Sequence, residues 1–163
     1  IPSATRADVN QCLDETISLL DFESKRCGIT VETDLDSSLP HLQVNESDLR
    51  EVFFNIILNA VQAMEKEGGR LTVRTVRRGG HIEIGISDTG LGIERDDLDM
   101  LFEPFFTRKP PGKGTGLGLY ICRNLVEQIG GEILVESSPG EGTEFLVRLP
   151  SARQSADREG KAL

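Results

Sequence analysis

Apolar positions along the chain recur with two periods, one helical and one alternating. From Asp8 to about Arg26 they fall at Val9, Leu13, Ile17, Leu20 and Phe22, a helical stripe with Asp8 placed as N-cap. Residues 1–7 before it read as a polar lead-in. Gly28 ends this helix, and Ile29-Thr30-Val31-Glu32-Thr33 alternates as a strand does. Asp36 to Pro40 is a turn-rich connection. The strongest helical pattern runs from Asn45 to Met64, with Asn45 or Ser47 as cap and Leu49, Val52, Phe53, Ile56, Ile57, Ala60 and Met64 on one face. Leu71 to Val76 and Ile82 to Ile86 alternate around Arg78-Gly79-Gly80, which predicts a hairpin. Glu94 to Phe102 reads as a short helix and Gly118 to Ile129 as a longer one, apolar at Leu119, Ile121/Cys122, Leu125/Val126 and Ile129. Glu132–Glu136 and Thr143–Leu149, joined through Pro139-Gly140-Glu141-Gly142, form a closing hairpin.

This order of elements predicts an α+β two-layer sandwich. A mixed, mostly antiparallel five-stranded sheet is covered on one face by about three helices. Residues 1–150 make one domain, and 151–163 a polar C-terminal tail expected to be disordered. The net charge of −9 argues against nucleic acid or an anionic membrane as main partner, because both reward clustered Lys and Arg. Three cysteines without metal-ligand spacing read as free thiols in a reducing compartment, small residues of the core. The sequence shows no apolar run of membrane-spanning length and starts at Ile1 without Met, which points to a piece of a longer protein.

Two stretches carry chemistry beyond this scaffold. On the helix from Asn45, Glu51, Asn55 and Asn59 recur at intervals of four, with Gln62 three further on. A solvated face is the simpler account of such a stripe. Asn, however, is a mediocre helix former, because its side chain competes for backbone bonds. Two of them inside FFNIILNAV look placed, and amide oxygens suit a hard cation such as Mg²⁺ or its waters. The second stretch, 87–119, sets Asp88, Gly90 and Gly92 after a strand, then Phe102, Phe105 and Phe106. It ends in Gly114-Thr115-Gly116-Leu117-Gly118-Leu119 at the start of a helix. Glycines there imply positive φ or a close approach to a ligand, and a helix N-terminus is a seat for phosphate. A carboxylate near an anion site suggests a guest with both a donor group and phosphates.

Taken together, these motifs resemble the ATP-binding catalytic domain of sensor histidine kinases, in the Bergerat-fold superfamily that includes gyrase and heat-shock chaperones. Glu51-x3-Asn55-x3-Asn59-Ala60 matches the N box, Asp88-x-Gly90-x-Gly92 the first glycine box, and Phe102-Glu103-Pro104-Phe105-Phe106 the F box. Gly114 to Leu119 matches the second glycine box and Gly140-x-Gly142-Thr143-x-Phe145 the closing one. A single GxG is weak evidence, whereas these boxes in order across 51–145 are specific. The wording FFTRKPPGKGTGLGL is similar to the nitrogen-regulation type, which usually has FFTTK and a short lid.

The resemblance implies roles at the matching positions, with ATP and Mg²⁺ as cofactors. Asp88 would accept the exocyclic amine of adenine, and Gly92 and Thr143 would support the base, partly through water. Gly90 and Ile93 of the same box join the nucleotide-binding positions. Asn59 would hold Mg²⁺, Asn55 would lie beside the phosphates, and Glu51 would lie near the metal-bound water or the attacking group; these are the candidate catalytic residues. Gly114, Thr115, Gly116, Leu117, Gly118 and Leu119 would wrap the phosphates as the hinge of a lid, and Lys109 or Lys113 would neutralise the γ-phosphate. A solvated loop accounts for those lysines equally well, and the three Phe side chains could simply anchor the lid. Two departures stand out. Gln62 occupies a position where many relatives carry Lys or His, and Thr107-Arg108-Lys109 follows the F box where many carry an Arg.

The function expected from the resemblance is transfer of the ATP γ-phosphate to a histidine in two-component signalling. His41 follows Pro40 in a turn and His81 opens a strand, so neither sits in the helical acceptor box such a kinase uses. The acceptor is therefore expected on the protein's own upstream helical dimerisation domain, and a response-regulator receiver domain is the expected second partner. Neither nucleic-acid nor membrane contact is expected of this domain, and the expected location is cytoplasmic, whether the parent protein is soluble or membrane-anchored. The alternatives are a hydrolytic ATPase of the gyrase or chaperone class, with Glu51 activating water, and a serine-directed anti-sigma-type kinase. The phenylalanine-rich box favours the histidine kinase over both.

Overall fold

The computed structural model describes residues 6–112 and 114–151. Its main sheet has five strands: β2 (Ile29–Asp34), β4 (Gly69–Arg78), β5 (His81–Asp88), β6 (Glu132–Ser138) and β7 (Gly142–Pro150). They lie in the order β2-β4-β5-β7-β6, with β2 parallel to β4 and every other pairing antiparallel. A separate two-stranded ribbon pairs β1 (Arg6–Ala7) with β3 (Leu42–Gln43). The end of the expected lead-in is thus ordered into a ribbon, too short to reveal itself by alternation; residues 1–5 and 152–163, and with them the expected tail, lie outside the described residues.

Three helices cover one face, as the periodicity predicts. The central one, α3 (Glu46–Ala63), is capped by Asn45, whose side chain accepts from the Ser47 amide at 2.8 Å. It buries Leu49, Val52, Phe53, Ile56, Ile57, Ala60 and Val61 and is flanked by α1 (Val9–Leu19) and α5 (Gly118–Gln128). Beneath lie Val73, Ile82, Ile84, Ile86, Phe145, Val147 and Leu149, alternate residues of the inner strands. Burying each large side chain contributes roughly 1.5–3 kcal/mol, which fixes the phase of every strand. On the far face Arg148 bridges Glu83 at 3.2 Å and Glu132 at 3.0 Å, and Arg78 bridges Glu83 at 3.1 Å.

Two helices differ from the sequence expectation. The stripe from Asp8 to Arg26 is broken at Leu20 (φ −98°, ψ 7°) into α1 and α2 (Asp21–Arg26). Thr16 Oγ1 and Ser24 Oγ each donate to the carbonyl four residues back, at 2.8 and 2.9 Å, a contact that bends helices. The phase change turns Phe22 outward, 75% exposed, instead of leaving it on the apolar face. The helix expected over 94–102 is the single turn α4 (Arg95–Leu98). Beyond it the amides of Met100, Leu101 and Glu103 bond three residues back, so the chain turns rather than continuing as a helix. Among the described residues no helix is long and apolar enough to cross a membrane.

Candidate nucleotide site

The register of the sheet assembles one wall. Asp88 at the end of β5 faces Leu71 of β4 on one side and Thr143 of β7 on the other, and Thr143 faces Ser137 of β6. Asp88 is 8% exposed. Its Oδ1 accepts from the Gly90 amide at 2.9 Å, and the backbone amide of Thr143 also bonds the carboxylate. Burial outweighs those two donors and holds the pKa above the ordinary carboxylate value. A buried acid so placed is an acceptor in search of a donor.

The glycines shape this wall by letting backbones meet. Gly92 has φ +72°, and a Cβ there would lie 2.0 Å from the Ser138 carbonyl oxygen. At Gly90 a Cβ would meet the Ala63 carbonyl oxygen at 2.6 Å, although φ is not positive. The loop is stitched to α3 by the Leu91 amide on Ala63 O (3.2 Å) and to the β6–β7 turn by the Gly140 amide on Leu91 O (2.7 Å). Chain-to-chain approach therefore accounts for both glycines.

Ser137 is a residue that sequence reasoning missed. Its Oγ accepts from the Ile93 amide at 2.8 Å, donates to Gly142 O at 2.9 Å and lies 2.8 Å from Thr143 Oγ1. One hydroxyl thus ties Ile93 and Thr143, two predicted nucleotide-binding residues, to a third strand. Its signal in the sequence was slight: Ser137 lies one residue past the strand expected over Glu132–Glu136, which the structure extends to Ser138.

The second wall is α3. Glu51, Asn55 and Asn59 rise along successive turns, Glu51 exposed and the two amides half-buried. Asn55 Nδ2 donates to Glu51 O at 2.9 Å, and its Oδ1 lies 3.0 Å from where a Cβ on Gly118 would stand. Gly118 thereby lets the start of α5 close on the N box. Among the described residues no side chain caps that start, whose N-cap is Leu117. Asn59 Oδ1 accepts from Lys109 Nζ at 2.7 Å, and Gln62 Oε1 accepts from the same ammonium. Burial pushes the Lys109 pKa below its ordinary value. The structure thus joins Asn59, Gln62 and Lys109 at one point; among the described residues Glu51 makes no side-chain hydrogen bond or ion pair to that group.

Between the walls runs the phenylalanine-rich segment. Phe102 packs edge-on against Phe145 with centroids 6.5 Å apart and lies under Arg123 at 5.6 Å. Phe106 lies under Arg108 at 5.3 Å, and Arg108 pairs with Asp97 at 3.0 Å. Phe105 points outward, 73% exposed, with φ +66°, and among the described residues Phe102 is the one ring of the three that packs on the core. Its amide donates to Gly116 O at 2.9 Å, while a Cβ on Gly116 (φ +74°) would strike the Phe105 backbone at 2.5 Å. Leu117 N bonds Thr115 Oγ1 at 3.3 Å, Leu119 packs on the core, and Gly114 and Thr115 are exposed. Lys113 lies outside the described residues.

Cys12 and Cys122 are buried free thiols, pushed up by burial to about 11 and about 12, so both stay protonated core residues. His41 lies 3.7 Å from Asp8, and both are partly exposed. Among the described residues no group of His, Cys, Asp and Glu side chains forms a metal cluster.

The family of histidine kinase-, DNA gyrase B- and HSP90-like ATPases matches residues 44–153, a span that contains both walls and the segment between them. The chain belongs to this family. Among curated relatives, sporulation kinase E of Bacillus subtilis is 36% identical over 151 residues, 91% of this chain and 20% of that protein. Sensor histidine kinase ZraS of Escherichia coli is 35% identical over 153 residues, 94% of this chain and 32% of that protein. The chain spans a fifth to a third of the length of these two. The solved structure of the mycobacterial sensor histidine kinase MprB superposes with a TM-score of 0.76 at 28% identity, covering 91% of this chain and 97% of that one. Within the family the chain is therefore a catalytic ATP-binding domain of the histidine-kinase type, and its two-layer fold is the fold of those domains.

Proposed function

We propose that this domain binds Mg²⁺–ATP between β5 and α3 and transfers the γ-phosphate to a histidine carried on a separate helical dimerisation domain of the same protein. The observation that carries this reading is the meeting of Lys109 with Asn59 and Gln62, which gathers a cation and two oxygen donors on the face of the N box. Residues 1–150 act as one catalytic unit with the acceptor lying upstream. A response-regulator receiver domain takes the phosphoryl group onward, in the cytoplasm.

Each residue has a distinct task. Asp88 accepts the adenine amine, and a base offering a carbonyl there would leave a buried carboxylate facing an oxygen. Ser137 holds Ile93 and Thr143 in line with it. Asn55 and the uncapped start of α5 face the phosphates, where amide donors and the helix dipole favour negative charge. Lys109 moves from the amides to the γ-phosphate, and Glu51 orients the attacking group.

Asn59 and Gln62 fit a divalent cation, since their carboxamide oxygens are hard donors already engaged by a positive charge. Asn59 would hold Mg²⁺, with Glu51 reaching it through water. When bound, the ion supplies neutralisation of the phosphate oxygens, which phosphoryl transfer requires. The scarcity of protein carboxylates at this point agrees with an ion held largely by the nucleotide.

The test is to mix the domain with γ-labelled ATP, Mg²⁺ and a sensor-kinase dimerisation domain carrying its acceptor histidine. Label that is stable to alkali and lost in acid supports histidine phosphorylation. Steady release of inorganic phosphate with no labelled acceptor would instead mark a hydrolase.

A further inference from the structure

Lys109 belongs to the segment after the F box, yet its ammonium is seated on α3. It reaches back 50 residues to Asn59 and 47 to Gln62, and among the described residues its partners are these two carboxamide oxygens, with no carboxylate. The segment is braced at its base by the Lys109 amide on Thr107 Oγ1 at 3.1 Å and by Arg108 on Asp97. An ammonium and a divalent ion compete for the same oxygen lone pairs. Asn59 Oδ1 has two lone pairs, but an ammonium and a divalent ion held on the one oxygen would repel each other at close range, so a metal there disfavours the Lys109 contact.

We propose that Lys109 is a latch. In the nucleotide-free protein its ammonium stands in for the metal on Asn59 and Gln62 and holds residues 107–112 against α3; arrival of the metal–nucleotide complex displaces it and frees that segment from α3, with a γ-phosphate, where present, as the new partner of Lys109. The neutral amide of Gln62 makes the latch possible, because a cationic side chain at that position would repel Lys109 at hydrogen-bond distance. Hydrogen bonds from a charged donor are stronger than neutral ones, so two of them suffice to hold a short exposed segment. The displacement half of the proposal rests on the metal–nucleotide reading given above; the latch in the empty protein does not.

Hydrogen–deuterium exchange at the amides of residues 107–109 and 112, since Pro110 and Pro111 carry none, tests the two halves separately, using the wild type, Lys109→Met and Gln62→Lys, with circular dichroism to verify that each is folded. Without nucleotide, both substitutions should raise exchange in this segment about tenfold over wild type, as for the loss of a local closed state, and leave β5 and β7 unchanged. Adding Mg²⁺–ADP to wild type should raise exchange in the same residues. Folded variants whose segment exchanges at the wild-type rate overturn the latch, whatever nucleotide does. Faster exchange in both variants, with no response of the wild type to Mg²⁺–ADP and no heat of ADP binding, overturns displacement and the nucleotide reading with it. If ADP binds and the segment stays protected, displacement alone is overturned.

Discussion

Gly142 and Asp88 touch through their backbones: a Cβ on Gly142 would stand 2.0 Å from the Asp88 carbonyl oxygen, and Gly142 holds φ +90°. The residue that closes the β6–β7 turn therefore sets how near β7 lies to the end of β5, and so where Thr143 presents its amide to the Asp88 carboxylate. Gly142→Ala should cost well over about 1 kcal/mol, because the conformation is unfavourable for an L side chain and the space is already filled. Urea unfolding measures the loss, and ADP affinity should fall with it.

Ser137 makes a second prediction at the same row of the sheet. Ser137→Ala leaves the Ile93 amide and the Gly142 carbonyl without their shared partner, a loss of about 1–2 kcal/mol by the usual cost of unmade hydrogen bonds. Calorimetry of the folded variant should show severalfold weaker ADP binding, because Ile93 and Thr143 are no longer tied together.

Asp88 gives the protein a pH signature. Its pKa is raised in the folded state by burial, so its contribution favours folding below the unfolded carboxylate value, about 3.9, and is lost as pH rises through the higher folded value. Asp88→Asn removes that dependence. The stability difference, variant minus wild type, should move in the variant's favour between about pH 4 and pH 7, the range that brackets carboxylate titration. Urea midpoints across the range check this. At neutral pH the same variant should lose adenine-nucleotide binding while remaining folded.

Phe105 is held at φ +66° with 73% of its surface exposed. A left-handed conformation costs a non-glycine residue roughly 1–2 kcal/mol, and this ring recovers little of it by burial. Phe105→Gly should therefore leave the free energy of unfolding, measured in urea, unchanged or raise it, whereas Phe102→Ala, which removes the contact with Phe145, should lower it by about 2 kcal/mol or more on the scale of aromatic truncations.

Much of the fold was legible because burial imposes a period. The face of α3 and the alternation in β4, β5 and β7 each bury one side, and the five strands and three covering helices follow from them. The ribbon of β1 and β3 carries no such signal at two residues a strand, and the break at Leu20 depends on hydroxyl contacts that a hydrophobic stripe does not register. The site followed the same division. Asp88, Asn55 and Asn59 announced themselves as polar residues in places where apolar or charged ones are usual. Ser137 and the seat of Lys109 arise from strand register and from the path of a loop, both long-range properties. The glycines were legible as necessary, but backbone contact with α3, β6 and β5, not ligand approach alone, is what requires Gly90, Gly92 and Gly142.

The proposed function turns on an adenine site built on Asp88, with its metal and phosphates at Asn59. Titration calorimetry of the domain with ADP and with GDP, each with and without Mg²⁺, tests it most directly. ADP should bind at least about a hundredfold more tightly than GDP, the discrimination expected of a buried hydrogen-bonding group, and Mg²⁺ should strengthen ADP binding in the wild type but not in Asn59→Ala. Equal affinity for the two bases, or an undiminished effect of Mg²⁺ in Asn59→Ala, would contradict it.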